Sequence, residues 1–133
     1  MSRRRMDLGI PRREPIIITD YDFPIIVCLC GSGRFREAFG AAEYNETLAG
    51  KIVLTIGCNT KDVARSADLA HHKPMLDELH KRKIDLADEV LILNVGGYIG
   101  ESTRSELDYA LAHGKTVRFL EPVRTEVGPA NVM

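Results

Sequence analysis

Short apolar runs rich in β-branched residues recur along this chain, and a stretch with helical periodicity separates each from the next. Residues 25–30 (IIVCLC) are continuous and apolar, the pattern of a strand covered on both faces. A helical pattern follows from residue 34 to about 49 and stops at Gly50. Residues 51–56 (KIVLTI) read as a second strand, 89–94 (EVLILN) as a third and 116–120 as a fourth. Pro74 opens a helix to about residue 87, at a position where a missing N–H costs nothing. Another helix spans 102–113 and ends at Gly114. Residues 16–18 offer a short fifth strand. Strand, loop and helix in repetition predict an α/β three-layer domain, Rossmann-like or flavodoxin-like, with a parallel sheet of four or five strands. Ligands of such sheets bind outside the carboxyl ends of the strands, near the switch point. That rule selects the loops 31–34, 57–73 and 94–103.

With 133 residues and 44% hydrophobic content there is material for one core and little room for two. Residues 1–15 carry five arginines, two prolines and little apolar periodicity, which predicts a disordered basic arm. The folded domain is expected over 16–122, and residues 123–133 form a loose tail. Eighteen Lys and Arg against nineteen Asp and Glu leave a net charge of −1, which argues against nucleic acid and anionic membrane as partners. No apolar run approaches the roughly 18 residues of a membrane span, and no apolar stretch follows the basic N-terminus as in a secretory signal. A soluble, cytoplasmic protein is expected. Cys28 and Cys30 lie two apart on a predicted strand, which points both to one face, and Cys58 stands alone. An odd count without CxxC spacing suits buried thiols better than a disulfide frame or a zinc site.

The chemistry concentrates in two loops. In Cys30-Gly-Ser-Gly-Arg-Phe, Gly31 and Gly33 allow close approach of a ligand to the backbone at a helix N-terminus. Ser32 and Arg34 add a hydroxyl and a fixed positive charge suited to phosphate. The other reading is a tight turn that needs glycine for packing alone. The loop Asn94-Val-Gly-Gly-Tyr-Ile-Gly-Glu-Ser-Thr-Arg-Ser-Glu106 carries Tyr98, then Ser102 and Thr103 at a helix start. At about 100° per residue, Ser102, Glu106, Tyr109 and His113 form one stripe beside a core face of Leu107, Ala110 and Leu111. Glu106 is thus a candidate nucleophile or base. Thr103 and Glu106 also have the spacing of a capping box, in which the glutamate serves only the helix start.

The helix from Pro74 has an apolar arc of Met75, Leu76, Leu79, Ile84, Leu86 and Ala87, interrupted by His80 and Lys83. Those two either point along the rim into a cleft, or are a satisfied core histidine and a snorkelling lysine. Asp77, Lys81, Arg82 and Asp85 read as a solvated face. His71 and His72 lack a third ligand at useful spacing, so no metal site is expected. The polar segment 57–73 reads as a lid or a subunit contact.

Ala87-Asp-Glu-Val-Leu-Ile-Leu-Asn, the glycine-rich loop, Ser102-Thr-Arg-Ser-Glu-Leu-Asp-Tyr-Ala110 and Gly114-Lys-Thr-Val together resemble the nucleoside 2-deoxyribosyltransferase superfamily. That group includes 2′-deoxynucleoside 5′-monophosphate N-glycosidases, and Cys30-Gly-Ser-Gly resembles their phosphate-binding first loop. The resemblance covers roughly residues 25–120. It implies that Glu106 is the nucleophile, with Ser102 and Thr103 near sugar or 5′-phosphate and Gly31, Ser32 and Gly33 in the first loop. It implies a nucleoside or nucleotide as small-molecule partner, no cofactor, and a homo-oligomer whose subunits complete each other's sites. Gly100 stands where transferases have an acid, His80 where they have a helper aspartate, and Asp108 where they have glycine. The expected function is therefore an N-glycosidase with Glu106 as nucleophile and His80 as acid/base group. Arg34, Asn94 and the other loop residues would hold phosphate and ribose, with Tyr98 or Phe35 stacking on the base. The alternatives are a non-catalytic nucleotide-binding module on the same fold and a deoxyribosyltransferase.

Overall fold

The computed structural model of the chain describes residues 23–57 and 66–123. Within them run β1 (Ile26–Cys30), α1 (Arg36–Leu48), β2 (Ile52–Leu54), α2 (Ser66–Leu86), β3 (Glu89–Ile92), α3 (Glu101–Ala112) and β4 (Thr116–Phe119). The strands form one sheet in the order β2-β1-β3-β4. All three pairings are parallel, with Cys28 opposite Leu54 on one side and Val90 on the other. The structure is thus an α/β, three-layer, Rossmann-like domain, and its strand order is the one that opens the flavodoxin-like arrangement. The arm at 1–15, the expected strand at 16–18, Cys58 and nearly all of the tail from residue 123 lie outside the described residues.

β1 is buried at every position because both faces are covered. Val27 and Leu29 pack with Phe39 and Ala42 of α1 and with Leu91 and Leu93. Ile26, Cys28 and Cys30 alternate to the other face and meet Ile84 of α2, Ala87 just after it, Val90, Ile92, and Leu107 and Ala110 of α3. The amphipathic reading of the helices overreaches at four places. Met75, Leu79, Leu86 and Leu111 are exposed, because only one side of each helix reaches the sheet. α2 also begins well before Pro74, which sits inside it. The missing N–H leaves the carbonyl of Ala70, an exposed residue, to water. None of the helices is long and apolar enough to cross a membrane among the described residues.

At the amino ends of the strands, Ile26 and Asp88 exchange two hydrogen bonds of 2.8 Å, which fixes the β1–β3 register. Beside them lies a ring of alternating charge. Arg118 reaches Glu46 at 2.6 Å and Glu89 at 2.8 Å, and Lys51 reaches the same carboxylates at 3.2 and 3.3 Å. The ring joins α1 to β3, β4 and the residue that leads into β2. Burial pushes the Glu46 carboxyl up, but hydrogen bonds from Arg118 and Lys51 outweigh it and hold its pKa below the usual value. A carboxylate depressed in the folded state stabilises above its unfolded pKa, and that contribution disappears as pH falls through the folded value. Glu46→Gln is therefore expected to destabilise the chain by about 1 kcal/mol near neutrality, since Arg118 is partly solvated. Urea melts across the acidic range check this, and the difference from wild type should vanish at low pH.

Candidate active site

β1 and β3 are neighbours, yet the chain leaves them toward opposite edges of the sheet. Their carboxyl ends diverge, and a crevice opens between the loops that follow. A cavity of about 310 Å³ lies there, at the small end of the range for small-molecule sites. Gly31, Ser32 and Gly33 form one wall, and Tyr98, Ser102 and Thr103 another. His80 and Glu106 close it toward the core, and each is at least 90% buried.

Gly31 allows a close approach. A Cβ there would lie 3.1 Å from the Leu93 Cβ and 3.3 Å from its carbonyl oxygen, so a larger residue would push the ends of β1 and β3 apart by a few tenths of an ångström. The Ser32 carbonyl accepts from the Phe35 N–H at 3.0 Å, and its Oγ accepts from the Arg34 N–H at 3.3 Å. Those bonds set the turn that brings Ser32 and Gly33 to the cavity wall. Arg34 and Phe35 do not line the cavity. The Arg34 guanidinium lies 4.4 Å from the centre of the Tyr98 ring, and Phe35 meets that ring edge-on at 6.0 Å. They form a cationic and aromatic shelf against Tyr98. Asn94 is also outside the cavity: its amide donates to the Glu121 carbonyl at 3.0 Å and accepts from the Glu121 N–H at 2.9 Å. It latches the end of β3 to the end of β4.

α3 begins at Glu101, with Gly100 as its N-cap. A capping box would place Thr103 at the cap, but it lies inside the first turn and Glu106 a turn beyond. The capping role is thus ruled out, and the Glu106 carboxylate faces the cavity instead. Of the expected stripe, Ser102 and Glu106 reach the cavity. The Tyr109 hydroxyl turns away to donate to Asp85 at 2.6 Å, and His113 stacks on the Tyr109 ring.

α2 supplies Asp77, which the sequence reading placed on a solvated face, together with Lys73 from the expected lid segment and His80, expected at the rim or in the core. Lys73, Asp77 and His80, at i, i+4 and i+7, present one face to the cavity. The Lys73 ammonium lies 3.0 Å from Asp77 and donates to the Ser102 Oγ at 3.1 Å, so it links the two helices. Asp77 is half-buried rather than part of a solvated face. The heptad-like spacing of these polar residues on one face was the available signal. Lys83 takes a different course and donates to the Thr55 carbonyl at 2.6 Å.

Beneath the cavity, His80 is both core residue and wall. Its Nε2 lies 3.6 Å from the Cys28 Sγ, 3.4 Å from the Cys30 Sγ and 3.1 Å from the Leu29 carbonyl oxygen. The hydrogen bond with Cys30 brings the Cys28 thiol down to about 6 against the effect of burial, and His80 assists. The same bond, with burial, pushes Cys30 up. Burial pulls His80 down, yet the Cys28 sulfur lifts it above its ordinary value. Burial raises the Glu106 carboxyl, and the opposing charge of His80 and a hydrogen bond from Cys30 only partly offset this. These residues bring two carboxylates, Glu106 and Asp77, and the Lys73 ammonium and Ser102 hydroxyl to one small cavity. No protein-family model, curated protein or solved structure matches the chain.

Proposed function

We propose that this chain is an N-glycosidase of nucleosides or nucleoside 5′-monophosphates, with Glu106 as nucleophile. The observation that carries this reading is the buried Glu106 carboxylate, which has no capping role and forms the inner wall of a cavity shared with a Gly-Ser-Gly loop. The resemblance of residues 87–117 to the nucleoside 2-deoxyribosyltransferase superfamily supports the same assignment. A Glu106 oxygen forms a bond to the anomeric carbon as the carbon–nitrogen bond breaks, and the bonding pair leaves with the base. The departing base takes its proton from solvent, and the Asp77 carboxylate, paired with Lys73, takes one from the water that hydrolyses the glycosyl ester and frees Glu106. His80 has its Nε2 directed at two sulfurs and a carbonyl, so we assign it to positioning rather than to proton transfer. Tyr98, backed by Arg34 and Phe35, offers its face to the base.

Glu106→Gln should lower base release by on the order of a thousandfold or more while nucleotide still raises the melting temperature. Chromatography of ribo- and deoxyribonucleosides and their 5′-monophosphates provides the measurement. Release at the wild-type rate by the variant would sink the nucleophile assignment. Binding without release by the wild-type chain would mark a nucleotide-binding module.

Lys73 is the cation nearest the Ser102 hydroxyl, which places positive charge where a 5′-phosphate would meet α3. Lys73→Ala is expected to weaken 5′-monophosphate binding by about tenfold and leave nucleoside binding unchanged, the effect of one charge-assisted hydrogen bond. Isothermal titration with both ligands decides it.

A further inference from the structure

Cys28, Cys30 and His80 meet on the α2–α3 face of the sheet, although 50 residues separate Cys30 from His80. Their ligand atoms all lie within 4.8 Å of one another, and all three side chains are buried. Strand alternation places both sulfurs on one face, and α2 lowers the imidazole onto them.

This arrangement asks too much of too few hydrogens. The single Nε2 faces two sulfurs and the Leu29 carbonyl oxygen, but it offers one N–H or one lone pair. Protonated, it satisfies the carbonyl and leaves at least one sulfur unmatched; unprotonated, it points a lone pair at the carbonyl. A cation resolves the conflict, because thiolates and imidazole are both electron-pair donors and their ligand atoms already converge. The spacing fits as well. Tetrahedral zinc with bonds of about 2.3 Å to sulfur and about 2.05 Å to nitrogen separates those atoms by about 3.6 Å, against 3.6 and 3.4 Å here.

We infer that Cys28, Cys30 and His80 form a binding site for a thiophilic divalent cation of the zinc type, whose fourth coordination position is left to a ligand from the cavity. His80 and Glu106 line the cavity, so the ion reaches the sulfurs through it. The inference stands apart from the glycosidase reading, in which Cys28, Cys30 and His80 form no bond to substrate.

Cobalt(II) titration of the metal-free full chain tests the site. Saturation at one equivalent, with sulfur-to-cobalt charge-transfer bands and displacement by zinc, is the expected result. Cys30→Ser and His80→Ala should each weaken binding by at least about a hundredfold, whereas Cys58→Ser should leave it unchanged. X-ray absorption of the zinc-loaded wild-type chain keeps the test independent of variant folding. It should show two sulfurs near about 2.3 Å and two nitrogen or oxygen ligands near about 2.0 Å. Absence of saturable binding, a shell with fewer than two sulfurs, or full affinity in His80→Ala would overturn the site.

Discussion

The parallel pairing of β1 with β3 is the contact on which both the core and the cavity depend. It joins the two strands from which the chain departs in opposite directions, so it creates the crevice as it builds the sheet. The pair is closed at the amino end by the reciprocal Ile26–Asp88 bonds and at the carboxyl end by the close approach of Gly31 to Leu93. Around it, apolar side chains alternate to two separate clusters, one under each helical layer. Widening the pair at either end would loosen the cavity walls and both clusters together.

The polar groups at the inner end of the cavity sit in an otherwise apolar layer. His80 and Glu106 share that layer with Ile84, Ile92 and Leu107, which exclude water from them. Desolvation of this kind costs stability unless each group finds partners. For His80 the thiols of β1 serve as partners, at 3.6 and 3.4 Å from its Nε2. The sheet therefore tunes the charge state of the site from below, while the loops shape it from above.

Much of the fold was legible because it rests on local periodicity. Continuous apolar runs marked β1 and β3, glycines marked the ends of α1 and α3, and alternation put Cys28 and Cys30 on one face. The start of α2 was not legible, because Pro74 mimics a helix opening while its carbonyl partner at Ala70 is exposed and tolerant of its loss. Glu106 was visible as a residue, but its role turned on a shift of the helix start to Glu101, too small for propensity to resolve. Lys73 and Asp77 were hidden by their ordinary appearance, since an i,i+4 ion pair looks the same on a solvated face and at a cavity wall. The meeting of His80 with the two thiols is a product of the crossover from β2 to β3, and no local spacing encodes it.

The Asn94 latch gives the molecule a direction. By holding the Glu121 backbone, while the Glu121 carboxylate accepts from the Gly96 N–H at 3.1 Å, it keeps the chain that leaves β4 beside the glycine-rich loop. Because all four strands run the same way, the chain enters β1 at the far pole of the sheet. The end of β4 is thereby held on the cavity's side of the domain and tied to the loop that carries Tyr98, so one side-chain amide couples the sheet's edge to a wall of the cavity.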